Sequence, residues 1–300
     1  MSRRLVTNTT GRPLVGGKAS SLDWLARHGA RVPRTWVVSG SDDVAALALE
    51  PTGAYAVRSS AAAEDTTETA AAGKYLTELD VPGSDVPASV ERVLAAREAD
   101  EAMSVIVQEM VTPVVSGVAF SRNPVTGLSD VIVEAIEGRG DALLQDGADP
   151  ERWTFRHGEL VEEPDDPTSS DLAREVEAET IRLADEFGPA DLEWVWDGDD
   201  LYIVQIRPIT TIGDVPIYSR AIAKDVMPGL IKPLVWSVNV PMVNAAWVRL
   251  FTEAIGPNDL EPESLARSFA FRSYFDMRAI GDIFELMGMP RDSLENLLGL

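Results

Sequence analysis

The sequence contains no cysteine and only two histidines, His28 and His157, in 300 residues. The absence of cysteine excludes disulfide bonds, thiolate catalysis and cysteine-ligated zinc. Two histidines are too few for a histidine-based metal cluster. No run of 18 apolar residues occurs, and no apolar segment follows the arginines near the start. We therefore expect a cytoplasmic protein with neither a membrane span nor a secretory signal.

Lysine is also scarce, because only 4 of the 26 basic residues are lysines, against 49 acidic residues and a net charge of −23. A field of this sign repels nucleic-acid phosphates and anionic membrane surfaces, so we expect neither as a partner. Adaptation to high salt and the codon bias of a GC-rich genome both account for this composition. In either case an anionic ligand must be held by a few local cations, which makes each cation beside a glycine informative.

The apolar patterns predict an α+β protein. Helices are predicted at 17–28, 87–99 and 170–187, and strands at 35–39, 54–58, 103–110, 115–120, 131–135, 191–196 and 201–206. After residue 211, proline and glycine punctuate the chain, and helical patterns follow at 241–255 and 271–287. The sequence therefore predicts a first domain at 1–213 and a smaller all-α segment at 214–300.

Two glycine-containing segments carry isolated cations. Gly16–Lys18 stands where the first helix is predicted to begin, so the backbone can approach an anion that the helix N-terminus favours. Arg58 ends a predicted strand and leads into an alanine-rich loop that finishes with Gly73 and Lys74, as suits a cover over phosphates. The alternative interpretations are a glycine turn with a surface lysine, and a surface loop with a structural salt bridge.

Carboxylate, amide and guanidinium groups are spaced regularly on two strands that the acidic turn 197–200 connects. Because side chains alternate along a strand, Asp191 and Glu193 share one face, as do Gln205 and Arg207. Carboxylate and amide oxygens can bind Mg²⁺ together with phosphate oxygens. The hairpin is thus either a clamp for metal and phosphate or a solvated polar face.

An apolar strand ends in the bend formed by Gln108, Glu109, Met110 and Val111. Such a bend can bind adenine through backbone hydrogen bonds, with Met110 and Val111 against the ring. Taken alone, the pattern is also that of an ordinary core strand.

In their order along the chain, these segments resemble the nucleotide-binding domain shared by phosphoenolpyruvate synthase, pyruvate phosphate dikinase and rifampicin phosphotransferase. The segments are 14–18, 55–65, 107–111, 116–127, 191–194 and 205–208, and the resemblance extends over about 14–211. It implies an ATP-grasp fold in which two lobes, about 1–102 and 103–213, close on ATP and Mg²⁺. Residues 216–300 are similar to a helical segment that follows this domain in some phosphoenolpyruvate synthase-like proteins.

The resemblance also assigns roles to residues of this sequence. It implies that three cations are catalytic and bind phosphates: Lys18, Arg58 and Arg207. It places Gly73 and Lys74 in the cover, and it assigns the adenine hinge to Gln108, Glu109, Met110 and Val111. It also implies that Asp191 lies near the metal or the ribose and that Glu193 and Gln205 bind Mg²⁺. The implied activity is phosphoryl transfer from ATP to a histidine.

Three departures from the family pattern shape the alternatives. Only 40–53 joins the strand at 35–39 to the strand of Arg58, where the family has a long helical insertion, and the cover has three alanines before Gly73. No phosphohistidine motif is present, since His28 is expected to cap a helix and His157 to lie in a turn. We therefore expect a phosphohistidine domain and a pyruvate- or other acceptor-binding domain on another chain or in a missing C-terminal part.

Two further interpretations stay open. The trimmed lobe and the altered cover also suit a non-catalytic ATP- or ADP-binding module. An ATP-grasp ligase that activates a carboxylate as an acyl phosphate would keep the same metal and phosphate clamp.

Overall fold

The computed structural model describes residues 6–8, 16–45, 47–61, 76–97, 103–139, 150–165, 167, 169–209, 217–221, 223–256 and 265–289. These residues fall into two compact units. The first comprises Met1–Asn123 with Asp130–Thr210, and the second Pro124–Ser129 with Thr211–Leu300. The predicted domain boundary at 213 lies outside the described residues and stays a prediction.

The first unit contains a five-stranded sheet among its described residues, called here the first sheet. Its strands are β1 (Val6–Asn8), β2 (Thr35–Val38), β3 (Ala54–Ala61), β4 (Thr77–Pro82) and β5 (Met103–Glu109), in the order β1-β2-β5-β3-β4. One face of the sheet packs Val57, Val105 and Val107 against helix α3 (Val86–Ala95). Helix α2 (Ser41–Val44) follows β2 and is one short turn.

The position of β5 corrects the predicted division of the lobes at residue 102. That division assigns 103–109 to the second lobe, but β5 pairs with both β2 and β3 inside the first sheet. The reason lies in its composition, because the run from Met103 to Gln108 is buried throughout and needs a partner strand on each side. The chain passes from the first sheet to the next one at 110–114.

The second sheet has six strands within the described part of the first unit. They are β6 (Val115–Phe120), β7 (Asp130–Glu137), β8 (Glu151–Arg156), β9 (Glu159–Glu162), β10 (Ala190–Trp196) and β11 (Leu201–Pro208), in the order β11-β10-β6-β7-β8-β9. Helix α4 (Ser170–Phe187) begins where the Ser169 hydroxyl accepts a hydrogen bond from the Leu172 backbone N–H, and it covers one face of this sheet. The opposite face carries the polar residues of β10 and β11.

Helix α1 (Gly17–Arg27) connects the two sheets within the first unit. Its apolar residues Leu22 and Leu25 belong to the core that α4 and the second sheet share. Trp24 makes an edge contact with Phe187 of α4. After the helix, the Arg31 carbonyl accepts a hydrogen bond from the Ile203 N–H at the edge of β11. The second half of α1 and the loop after it are therefore packed against the second sheet.

The second unit corrects the expectation of an all-α segment. Among its described residues, strands β12 (Tyr218–Ser219), β13 (Ala266–Phe269) and β14 (Arg272–Asp276) form a sheet in the order β12-β14-β13, alongside helices α5 (Ala223–Val226), α6 (Pro233–Ile255) and α7 (Met277–Leu286). The helix predicted at 271–287 is thus a strand followed by a helix. Ala270 and Phe271 form the two-residue turn of a hairpin, both with positive φ. Glycine or asparagine normally marks such a turn, so this sequence gave no signal of it.

The other predicted elements of the first unit are present with shifts of a few residues at their ends. No described helix combines the length and the apolar character that crossing a bilayer requires.

Candidate functional site

The polar face of the hairpin β10–β11 brings together four of the predicted site residues. Asp191 pairs with Arg207 and Glu193 pairs with Gln205 in the strand register. Because directly opposite residues of antiparallel strands project to the same side, all four side chains lie on one face. Leu192 and Trp194 project to the other face and are buried under α4. The alternation deduced from the sequence is therefore realised.

Arg207 is the centre of this group. Its Nη2 lies 3.1 Å from Asp191 Oδ2 and 3.5 Å from Glu193 Oε1, so one guanidinium nitrogen is shared between two carboxylates. The Gln205 side chain beside them is buried. We call Asp191, Glu193, Gln205 and Arg207 the hairpin cluster.

Arg58 approaches the hairpin cluster from the first sheet. It lies on β3 opposite Ile106 of β5, on the sheet face turned away from α3. Its Nε is buried and has no hydrogen-bond partner among the described residues. Burial lowers the pKa of Arg58 below its ordinary value, and the charge of Glu193 opposes that shift. A charge interaction between Arg58 and Glu193 thus links the two sheets.

Burial also acts on the acidic side of the site. It raises the pKa of Asp191, the Arg207 charge lowers it, and the Glu193 charge raises it further. Asp191 Oδ1 is buried without a hydrogen-bond partner among the described residues. Two buried polar atoms of opposite character, Arg58 Nε and Asp191 Oδ1, therefore remain unsatisfied at one site. Buried polar atoms are seldom left so in folded proteins, and such a pair suits a site that completes its bonding with a ligand.

Lys18 lies in the first turn of α1. The Ala19 N–H donates a hydrogen bond of 3.1 Å to the Ser60 hydroxyl of β3. Gly16 has φ +89°, and a Cβ there would lie 2.4 Å from the Ser60 carbonyl carbon. Only glycine permits this approach of the helix start to the strand. Lys18 thus stands at a helix N-terminus held against Ser60, two residues from Arg58.

The predicted adenine hinge is divided by the structure. Glu109, Met110 and Val111 line a cavity of about 930 Å³ together with the loop between α1 and β2. Gln108 instead is buried in the first sheet, where its Nε2 donates to the Thr35 hydroxyl at 3.1 Å. The described lining of this cavity does not include the side chains of the hairpin cluster.

Gly73 and Lys74 lie outside the described residues, as do Leu14 and Val15 of the first motif. His28 caps the end of α1, as expected, and its two ring nitrogens contact the Trp24 carbonyl at 2.7 Å and a Glu186 carboxylate oxygen at 3.3 Å. His157 lies in the turn between β8 and β9 with φ +51°.

Sequence reasoning assigned no role to Ser60. The signal that could have found it is the strand alternation, because Ser60 lies on the same face of β3 as Arg58 and is fully buried. A buried hydroxyl two residues from a cation, beside a glycine pair, indicates a contact that positions the site.

The donor atoms of the hairpin cluster fit a hard divalent cation. Two carboxylates and one amide oxygen can each coordinate Mg²⁺, which also prefers phosphate oxygens and water. The unpaired Asp191 Oδ1 adds a buried acceptor to this set. Glu193 and Gln205 are the side chains that would hold such a cation, with the arginines next to them available for phosphate oxygens.

Comparison with known proteins relates part of this chain to a nucleotide-binding family. Residues 41–163 match the family described as pyruvate phosphate dikinase, AMP/ATP-binding domain. A rifampicin phosphotransferase of a Streptomyces species is 34% identical across 82% of this chain and 34% of that protein. A probable phosphoenolpyruvate synthase of Archaeoglobus fulgidus is 31% identical across 52% of this chain and 27% of that protein.

The chain thus spans about a third of the length of the curated relatives it matches. Solved structures with some likeness include the D-alanine–D-alanine ligase of Helicobacter pylori, at 11% identity and a TM-score of 0.36 over 65% of this chain and 50% of that one. Residues 41–163 therefore match the pyruvate phosphate dikinase AMP/ATP-binding domain, and the chain is similar to one part of rifampicin phosphotransferases and phosphoenolpyruvate synthases.

Proposed function

We propose that this chain binds ATP with Mg²⁺ between the first and the second sheet of its first unit. We also propose that it transfers a phosphoryl group from ATP to a histidine on a separate domain or chain. The observation that carries the proposal is that Arg207 lies 3.1 Å from Asp191 and 3.5 Å from Glu193, while the charge of Glu193 also acts on the buried Arg58 of the first sheet. Two arginines beside a carboxylate and an amide form a suitable clamp for a metal-bound polyphosphate.

Each residue of the clamp has a separate task in this proposal. Arg58 and Arg207 bind phosphate oxygens and stabilise the negative charge that moves during transfer. Lys18 adds a point charge at the helix N-terminus. Glu193 and Gln205 hold the cation, whose contribution is to neutralise phosphate oxygens. Catalysis by these side chains is positioning and electrostatic stabilisation, which needs no nucleophile in the clamp itself.

The acceptor must come from elsewhere, which supports the proposal of a partner domain. In the transfer, a phosphoanhydride P–O bond of ATP breaks as a P–N bond to a neutral imidazole nitrogen forms, and the bridging oxygen leaves with the remaining phosphate chain. His28 already uses both ring nitrogens, with Trp24 and Glu186. His157 follows β8, which lies three strands from β10, about 14 Å across the sheet. Neither is placed to receive a phosphoryl group from the hairpin cluster.

The binding step is tested by calorimetry with MgATP on the wild type and on Glu193→Gln. We expect the substitution to weaken binding about 30-fold, because it removes a charged metal ligand. Glu179→Gln is the matched control, since Glu179 also pairs with an arginine but lies on α4. Equal affinities of Glu193→Gln and wild type would remove the basis of the proposal.

The transfer step needs a second measurement. Isotope exchange between ATP and its products is measured with and without a histidine domain from a related phosphoenolpyruvate synthase. We expect exchange only when that domain is present. Tight MgATP binding with no exchange would reduce the function to a non-catalytic nucleotide-binding module.

A further inference from the structure

Arg207 is shared between two carboxylates that the proposed function uses differently. Its Nη2 is closer to Asp191 Oδ2 than to Glu193 Oε1, at 3.1 and 3.5 Å. Both carboxylates are less exposed than the guanidinium, at 20% and 34% against 46% for the side chains. The arginine therefore lies over the acidic pair from the solvent side and neutralises part of its charge.

A divalent cation at Glu193 would disturb this arrangement. Glu193 already faces two positive groups, Arg207 by contact and Arg58 through space. A cation that coordinates Glu193 repels a guanidinium 3.5 Å from the same carboxylate, so Arg207 has to leave Glu193 for the cation to bind well. The cation and Arg207 are thus competitors for one carboxylate.

Asp191 supplies the place to which Arg207 can withdraw. Its Oδ2 already accepts a bond from Nη2, and its Oδ1 is buried and unpartnered among the described residues. A carboxylate with one oxygen still unpaired can accept a second guanidinium N–H and form a bidentate pair. The side chain of Asp191 is also the less exposed of the two acids, which strengthens its attraction for the arginine.

We propose that Asp191 is a positioning residue, which holds Arg207 in the cleft when the metal of the nucleotide complex takes over Glu193. This inference rests on the proposed function. The site should then bind the metal–nucleotide complex better than the free metal. Without phosphates, Arg58 and Arg207 neutralise Asp191 and Glu193, and a free cation is not attracted. With phosphates bound to the arginines, the carboxylate of Glu193 becomes available to the cation.

The first test relies on an expected increase in affinity for the free metal and an expected decrease in affinity for the metal–nucleotide complex when Arg207 is replaced. Mn²⁺ binding is followed by electron paramagnetic resonance, and Mn·ADP binding by calorimetry, on the wild type and on Arg207→Gln. We expect Arg207→Gln to tighten free Mn²⁺ binding about fivefold, since a competitor is gone, and to weaken Mn·ADP binding about tenfold, since a phosphate contact is lost. If free Mn²⁺ binds equally well to both proteins, there is no competition and the proposal is wrong.

The second test isolates Asp191 by a double-mutant cycle. Asp191→Asn is expected to weaken Mn·ADP binding about tenfold in the wild type but less than about twofold in the Arg207→Gln background. The matched control is Asp130→Asn with Arg156→Gln, a second aspartate–arginine pair on the same sheet, which should leave Mn·ADP affinity unchanged in every combination. Equal effects of Asp191→Asn in both backgrounds would overturn the proposal.

A spectroscopic readout separates positioning from a merely structural role. The Nη2–H signals of Arg207 in ¹⁵N-labelled protein, assigned by their loss in Arg207→Gln, report whether the guanidinium stays bonded to Asp191 Oδ2. The measurement uses MgADP, because Mg²⁺ is diamagnetic. We expect these signals to stay protected from water exchange when MgADP is added to the wild type, and to lose protection in Asp191→Asn. Protection in both proteins would contradict the proposal, whereas failure of the wild type to bind MgADP at all would instead contradict the proposed function.

Discussion

The same face of the second sheet carries two aspartate–arginine pairs that differ in how completely they are bonded. Arg156 donates to both oxygens of Asp130, at 2.7 and 3.2 Å, and the Asp130 side chain is 6% exposed. Arg207 donates to one oxygen of Asp191 and divides its remaining contact with Glu193. We call Asp130 and Arg156 the closed pair, because both carboxylate oxygens accept a hydrogen bond from the arginine. In the pair of Asp191 and Arg207, only one carboxylate oxygen does so.

Arg58 extends this contrast to the first sheet. A guanidinium with a buried, unpartnered Nε is costly for folding, because its lost hydration is not replaced by a bond. The charge of Glu193 offsets only part of that cost. A fold that keeps such an arginine next to an incompletely bonded acid pair sacrifices stability at the place where a polyanion and a cation are proposed to bind. The closed pair of Asp130 and Arg156 shows what the same residue types do where stability alone is served.

The largest expected effect comes from removing the incompletely bonded arginine. Arg58→Met should weaken MgATP binding about 100-fold, because a charged fork to phosphate oxygens is lost. The same change should raise the free energy of unfolding by about 1 kcal/mol, since an apolar chain replaces a poorly paired buried charge. Calorimetry and urea unfolding measure the two quantities on one protein preparation.

Arg156→Met is the matched control for that substitution. It removes an arginine of the closed pair and should lower stability without changing MgATP affinity. If Arg58→Met lowers stability as much as Arg156→Met does, the two arginines are equally structural and the contrast between them disappears.

A smaller effect is expected from opening the closed pair. Asp130→Asn should lower the free energy of unfolding by about 2 kcal/mol, because Arg156 loses a charged bidentate partner at a buried position. MgATP affinity should stay within twofold of the wild type, since β7 lies two strands from β10. Urea unfolding and calorimetry again provide the measurements, and a loss of affinity that matches the loss of stability would place Asp130 in the ligand site.

Strand alternation predicted the two residue pairs of the hairpin cluster, but not that both pairs share one face of the sheet. A period of two places Asp191 with Glu193 and Gln205 with Arg207. The register set at the turn would pair Glu193 with Val204, and a register shift between Glu193 and Trp194 brings Gln205 opposite Glu193 instead. Their glycine-containing segments marked Arg58 and Lys18 as candidate anion ligands, but only the resemblance to a known family connected them with the hairpin. The approach of Arg58 to Glu193 depends on two sheets that share no strand pairing, so no short-range rule could have predicted it.

The predictions that the structure contradicts failed for reasons that can be traced to particular residues. Residues 103–109 were assigned to the wrong lobe because an apolar run shows that a strand is buried but not which neighbours it pairs with. The sheet of the second unit was missed because Ala270 and Phe271 adopt positive φ without a glycine. The bond between the Gln108 amide and the Thr35 hydroxyl was not predicted either, because it joins strands whose residues lie 73 positions apart in sequence.

The smallest expected effect concerns the contact that positions Arg58 and Lys18 relative to each other. Ser60→Ala removes the acceptor of the Ala19 N–H and should lower the free energy of unfolding by about 1 kcal/mol, the usual cost of one buried hydrogen bond. It should also weaken MgATP binding about threefold, because the start of α1 is then less firmly held while both cations remain. Ser59→Ala on the opposite face of β3 is the control, since its hydroxyl has no partner among the described residues and its loss should be nearly neutral. If Ser60→Ala leaves affinity unchanged while stability falls, the contact serves the fold alone and Lys18 does not depend on it for its place in the site.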